Sequence, residues 1–163
     1  MGGHNRMRMN ALKIMFESIG FQSVKTYLQS GNVIFQTKET SEKALEDLIS
    51  AKITETFGFN IRVIVVQMSD LQDILANNPF APKEEKFLFV TILSEMPNNA
   101  DIEKIRSKSS ENEDFKIIGR TGYFYMPNGY AKTKLNNTLI EKILKVKATS
   151  RTIRTLNALV EQD

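Results

Sequence analysis

The 163-residue chain has no cysteine, no tryptophan and a single histidine. Without cysteine there is no thiol nucleophile, no disulfide and no thiolate metal site. The one histidine, His4, stands in a glycine-rich opening stretch, which leaves no pair for a zinc cluster and no partner set for a histidine-based triad. No apolar run approaches the roughly 18–20 residues that cross a bilayer. Nor does a charged segment lead into a long apolar one, as in a signal peptide. The expectation is a cytoplasmic protein that does not enter the membrane, with no metal and no cofactor.

Hydrophobic residues make up 41% of the chain, enough for an ordinary core, and the length suits one domain or two small ones. The net charge of +3 is unevenly spread. Residues 1–30 carry net +3, residues 31–131 net −4, and residues 132–154 net +6. Two basic ends around an acidic middle would make one positive surface if they met. The plainer alternative is a solvated basic helix face.

Periodicity supplies the elements. Leu12, Met15, Phe16 and Ile19 recur at helical spacing from Met9 until Gly20 stops them. Val24, Thr26 and Leu28 alternate as one face of a strand, and residues 33–36 return, so 24–36 reads as a hairpin. A helix opening at Ser41 places Ala44, Leu45, Leu48, Ile49 and Ile53 inward and ends near Gly58. The β-branched run 61–66 reads as a strand. Ser69 reads as the cap of a short linking helix, and Asn78-Pro79-Phe80-Ala81-Pro82 breaks the chain.

The series then repeats. A strand over 87–93 precedes a helix from Pro97-Asn98 to about Arg106. A hairpin follows over 115–126, then a helix over 135–144 and a last helix over 150–160. The first series is a β-α-β-β-α-β unit without its opening strand, and the second repeats strand, helix, strand, strand, helix. The expected fold is therefore α+β: two ferredoxin-like (α/β plait) halves in tandem, residues 1–77 and 78–163, with a C-terminal helix.

Several stretches carry a resemblance. They are Gly2-Gly3-His4-Asn5-Arg6 with Met9, "VKTYLQSGNVIF" at 24–35, Asn78-Pro79-Phe80, "GYFYMPNGYAKTKL", and Val146-Lys147-Ala148-Thr149-Ser150-Arg151. Together they resemble the mostly bacterial family called domain of unknown function 1697. The resemblance implies paired ferredoxin-like halves and no established activity. It also implies an apolar strand before the two glycines, whereas Met1 here stands directly before Gly2. The expectation is that Met1 is a misplaced start or a truncation. The alternative is that another segment or chain fills the gap, which would favour a strand-exchanged homodimer. Near the C-terminus the family's Arg-Asn-Trp-Asn-Thr is replaced by Arg151-Thr152-Ile153-Arg154-Thr155.

Two places suggest chemistry. The topology would set the opening loop, with Gly3, Asn5 and Arg6, beside the hairpin turn Ser30-Gly31-Asn32. Backbone donors, polar side chains and a cation there suit a small anion or a nucleotide phosphate. Alternatively, Ser30 and Asn32 only hold the hairpin. The second place is "NGYAKTKL", which lacks the full phosphate-loop pattern. Thr133 would cap the following helix, with Lys132 and Lys134 set against its dipole. Thr149 and Arg151 would stand in the same way at the start of the last helix. The leading expectation is a binding protein for a small anionic ligand, a nucleotide or a nucleic acid. The rivals are an enzyme on a small phosphorylated or acidic substrate and a structural, oligomeric partner protein.

Overall fold

A computed structural model describes residues 8–27, 31–80 and 83–161. They form an α+β fold with two antiparallel sheets, divided into two compact units, one running to Val66 and the other starting at Gln67.

In the first unit, helix α1 (Met9–Ser18) buries Leu12, Met15 and Phe16. The strands β1 (Gln22–Tyr27) and β2 (Asn32–Gln36) pair antiparallel, with Thr26 opposite Val33 and Lys25 opposite Ile34. The register slips between Gln22 and Lys25, where Ser23 takes a positive φ of 51°, a bulge in β1. Helix α2 (Glu42–Phe57) starts where the Ser41 hydroxyl oxygen accepts from Ala44 N–H at 3.1 Å, satisfying one of the unpaired donors of the first turn. It buries Leu45, Ile49 and Ile53, one stripe at every fourth residue. Ala44 and Leu48, expected inward, are exposed, because a helix covered along one narrow seam leaves the flanking positions outside. Phe16, Phe21 and Phe35 bring their rings together in this core, Phe21 and Phe35 stacked at 4.4 Å.

The run 61–66 departs from expectation. Ile61, Val63 and Val65 pack on the core of the first unit while Arg62 is exposed, which is a strand's alternation. Yet no strand forms there. A strand needs a neighbour's peptide groups, and the described residues place none beside it.

The second unit begins with helix α3 (Met68–Ala76). Its N-cap is Gln67, with no side-chain capping bond, so Ser69 lies inside the helix and does not cap it. The elements β3 (Leu88–Leu93), α4 (Asn99–Arg106), β4 (Asp114–Ile118), β5 (Thr121–Tyr125), α5 (Asn137–Leu144) and β6 (Ala148–Thr152) follow, then α6 (Ile153–Glu161). The sheet runs β4-β5-β3-β6, antiparallel throughout, with β3 paired to β5 on one side and β6 on the other.

Strand β6 was not foreseen, since residues 150–160 read as one helix. Ala-Thr-Ser-Arg-Thr is a weak strand sequence, and the open edge of β3 selects it. Opposite each other in that register, Thr91 and Ser150 hydrogen-bond at 2.7 Å. The Ser150 hydroxyl donates to Asn137 Oδ1 at 2.6 Å, so Thr91 is the donor of the first bond.

One face of the sheet packs Leu93, Phe115 and Phe124 against Ile105 of α4 and Ile140 and Leu144 of α5. The other face meets α3, held by the Tyr123 hydroxyl donating to the Ile74 carbonyl at 2.7 Å. The helices α3 and α6 pack on each other, and α6 also touches β3 and β6.

Candidate functional site

A concave feature walled by lysines lies in the second unit. Ser107, Lys108, Ser109, Ser110, Lys132 and Lys134 line a depression of about 450 Å³. Its first wall is the turn that ends α4. Asn98 caps the start of that helix, its Oδ1 accepting from Ala100 N–H at 2.8 Å, and the helix stops eight residues later in a polar run. The Ser107 hydroxyl donates to Lys104 O at 2.7 Å and the Ser109 hydroxyl to Arg106 O at 2.9 Å, satisfying carbonyls the helix leaves unpaired.

The second wall is the loop between β5 and α5. The one-turn 3-10 helix Tyr130–Lys132 is followed by Thr133, buried at 8% exposure, and by Leu135, buried at 1%. The Thr133 oxygen accepts from Leu135 N–H at 3.0 Å. With 133 and 135 turned inward, Lys132 and Lys134 are left pointing out, both exposed.

Glu113 ties the two walls together. Burial pushes its carboxyl up, but hydrogen bonds from the Thr133 hydroxyl and from the Ser110 hydroxyl and N–H outweigh that and hold it below the usual carboxylate range. The Ser110 bonds measure 2.7 and 3.0 Å. The carboxylate therefore stays charged behind the turn, opposing part of the lysine potential. Three ammonium groups against one carboxylate leave the depression positive. Because all three serine protons are already engaged, attraction there comes from the lysines as point charges.

The structure corrects the helix-terminus argument for both basic stretches. Helix α5 is capped by Asn136, whose Oδ1 accepts from Leu139 N–H at 3.0 Å, so Thr133 does not cap it and Lys132 and Lys134 do not sit in its first turn. Thr149 and Arg151 lie on β6, not at a helix start. Arg151 spends Nη1 on its own strand, donating to Thr149 Oγ1 at 2.9 Å and Ser150 O at 2.8 Å. Burial pulls its guanidinium below the usual arginine range. Opposite Val90, it belongs to the sheet face that carries Tyr123. Neither Thr149 nor Arg151 lines the lysine depression.

In the first unit, Gly31 takes a φ of 83°, as the hairpin turn requires. Asn32 is buried, and its Nδ2 donates to the Tyr27 carbonyl at 3.0 Å across the turn. That bond holds the hairpin. Gly3, Asn5, Arg6 and Ser30 lie outside the described residues, and with them the expected meeting of the opening loop and the hairpin tip.

The serine run after α4 has no signal in the sequence, and Glu113, which reads there as a solvated loop acid, is buried. "SKSS" was readable as a polar loop, but its opposition to Lys132 and Lys134 depends on a bond between residues 113 and 133. Among the described residues, no three His, Asp or Glu side chains cluster as metal ligands, and no helix is long and apolar enough to cross a membrane.

Fold and site together define an α+β protein with two antiparallel sheets and a basic surface depression. The chain belongs to the family described as Protein of unknown function (DUF1697), whose model matches residues 1–123. It is similar to a solved structure, that of conserved bacterial protein SP0830 from Streptococcus pneumoniae, at 20% identity and a TM-score of 0.71. The match covers 99% of this chain and 91% of that one, and it bears on the fold alone. No curated protein matches the chain.

Proposed function

We propose that the chain is a tandem of two ferredoxin-like units whose second unit binds a phosphate-bearing ligand, a nucleotide or a nucleic acid. The tandem reading is supported by the repeated order of elements: α1, β1, β2, α2 and the 61–66 run answer to α4, β4, β5, α5 and β6. The ligand reading rests on one observation, the convergence of Lys108, Lys132 and Lys134 on a single depression from two separate loops.

Binding by ammonium point charges without free hydroxyl donors is strongly salt-dependent, since each phosphate contact releases counterions. The test is a titration of ATP, inorganic pyrophosphate and a short single-stranded RNA at several salt concentrations, on the full chain and on the Lys132→Ala/Lys134→Ala double variant. At least one probe should bind the full chain. Its affinity should fall as salt rises, with a slope shallower by about 2 in the double variant if each lysine meets one phosphate. Equal binding by both proteins, or none by either, removes the proposal. Product formation from the bound probe would move the reading to the enzyme.

A further inference from the structure

Given the phosphate reading of the lysine depression, on which this rests, we infer that the site recognises a chain of linked phosphates by its charge and is blind to whatever the chain is attached to. Its ligand class is the oligophosphate, free or as the tail of a nucleotide whose base stays outside.

Three observations carry it. First, the lining is polar throughout: Lys108, Lys132 and Lys134 with Ser107, Ser109 and Ser110. A base is held by a flat ring or guanidinium to stack on, or by hydrogen bonds to its edge. No Phe or Tyr is among the lining residues, and every Phe and Tyr of the chain lies within the described residues.

Second, the flat groups nearest in sequence are engaged elsewhere. Arg106, next to Ser107, sets its guanidinium over the Phe115 ring, with Cζ 4.4 Å from the ring centre. Tyr130, two residues before Lys132, tilts its ring on Phe89 at 5.4 Å. Its hydroxyl oxygen accepts from Asn137 N–H at 2.9 Å. Stacking either group on a base would cost a contact with the core of the second unit.

Third, the hydroxyl protons around the depression are spent. Ser107 and Ser109 donate to carbonyls of α4, and Ser110 and Thr133 donate to Glu113. The side-chain donors left to a ligand are the three ammonium groups, compact charges on flexible stems that impose little geometry.

Point charges on two walls favour a ligand that brings negative charge to both. Coulomb attraction grows with the ligand's charge. Each phosphate added to a chain adds charge, whereas a base adds none. Affinity should therefore follow the number of phosphates: tripolyphosphate and nucleoside triphosphates first, pyrophosphate next, AMP last.

The test is calorimetric titration of the full chain with tripolyphosphate, ATP, CTP, pyrophosphate and AMP. Salt is kept low and divalent cations are left out, since they would neutralise the phosphates. ATP and CTP should bind equally, and tripolyphosphate at least as tightly as either. A stacked base would instead raise ATP above tripolyphosphate by roughly fivefold to 150-fold. Lys108→Ala should weaken ATP and tripolyphosphate by the same factor. ATP bound more tightly than tripolyphosphate, ATP distinguished from CTP, or unequal losses in Lys108→Ala would overturn the inference and leave the phosphate reading standing. A Lys108→Ala variant that binds both probes as the parent does removes the convergence on which inference and reading both rest. Binding by none of these probes overturns the inference, and the reading with it only if the RNA of the earlier titration also fails to bind.

Discussion

The two units run through the same order of elements and end differently. In the second, Ala-Thr-Ser-Arg-Thr, a poor strand sequence, forms β6 because β3 offers it an edge. In the first, Ile-Arg-Val-Ile-Val-Val, a far better one, forms no ladder among the described residues. Strand formation in this protein is thus decided by the neighbour rather than by intrinsic preference. In the second unit the central strand β3 gives the elements on both sides of it their ladders.

The largest test of that contrast is Phe124→Ala. Phe124 is 1% exposed and stacks on Phe115 at 5.5 Å, in the core between the sheet and α4 and α5. Its truncation should cost about 3–5 kcal/mol. Denaturant unfolding followed by hydrogen exchange should show that loss in the second unit alone, with the first unit unfolding earlier in both proteins. If the first unit loses as much, the two are one cooperative body and the comparison fails.

Next comes Gly122→Ala in β5. A Cβ built there would lie 2.7 Å from the Phe124 ring, which Phe115 holds in place by stacking. The glycine lets the ring lie flat over the strand. Alanine should cost about 1–3 kcal/mol through overpacking. A melting temperature unchanged from that of the parent would mean that the ring has room to move and that the central sheet is looser than described.

Much of this fold was legible in the sequence. All six helices and both hairpins were readable from apolar spacing and from breakers and caps such as Gly20, Ser41, Gly58 and Pro97, because those signals are local. The places that were not legible depend on partners far away in the chain. Strand β6 needs β3, some sixty residues earlier, and the 61–66 run reads as a strand because β-branched residues signal preference without naming a neighbour. At the candidate site, Lys132 and Lys134 stood out by charge, but their setting was misread. Asn136, not Thr133, caps α5, and Thr133 turns inward to Glu113. Arg151 was misplaced for the same reason as β6.

A smaller effect sharpens the attachment of α3. Tyr123 donates to the Ile74 carbonyl, and burial pushes its phenol above the ordinary tyrosine range. The folded state therefore holds this proton more tightly than the unfolded chain does. The resulting stability is whole below about pH 10, the ordinary tyrosine value, and is lost as pH rises through the folded value. Tyr123→Phe should cost about 0.5–1.5 kcal/mol near neutral pH and should flatten this part of the alkaline decline. A variant whose stability falls with alkali as steeply as the parent's would place the titration elsewhere.

The smallest effect compares the two units most directly. Helices α2 and α5, counterparts in the tandem reading, both end on a residue in the left-handed region whose N–H bonds back four residues at 2.9 Å: Gly58 to Thr54 O, and Lys145 to Glu141 O. Glycine adopts that conformation freely, at φ 76°, whereas Lys145 at φ 60° carries the steric cost of a side chain. Nothing lies within 4 Å of a Cβ built on Gly58, so Gly58→Ala should cost about 1 kcal/mol from the backbone alone. Lys145→Gly relieves the same strain but removes a cation from a helix C-terminus, where it contributes about 0.3–1 kcal/mol at low salt. The two changes should therefore move melting temperature in opposite directions, the gain at 145 smaller than the loss at 58 and growing as salt screens the lysine. If both substitutions destabilise, the Lys145 side chain does more at that cap than its charge explains, and the two helix ends are not equivalent.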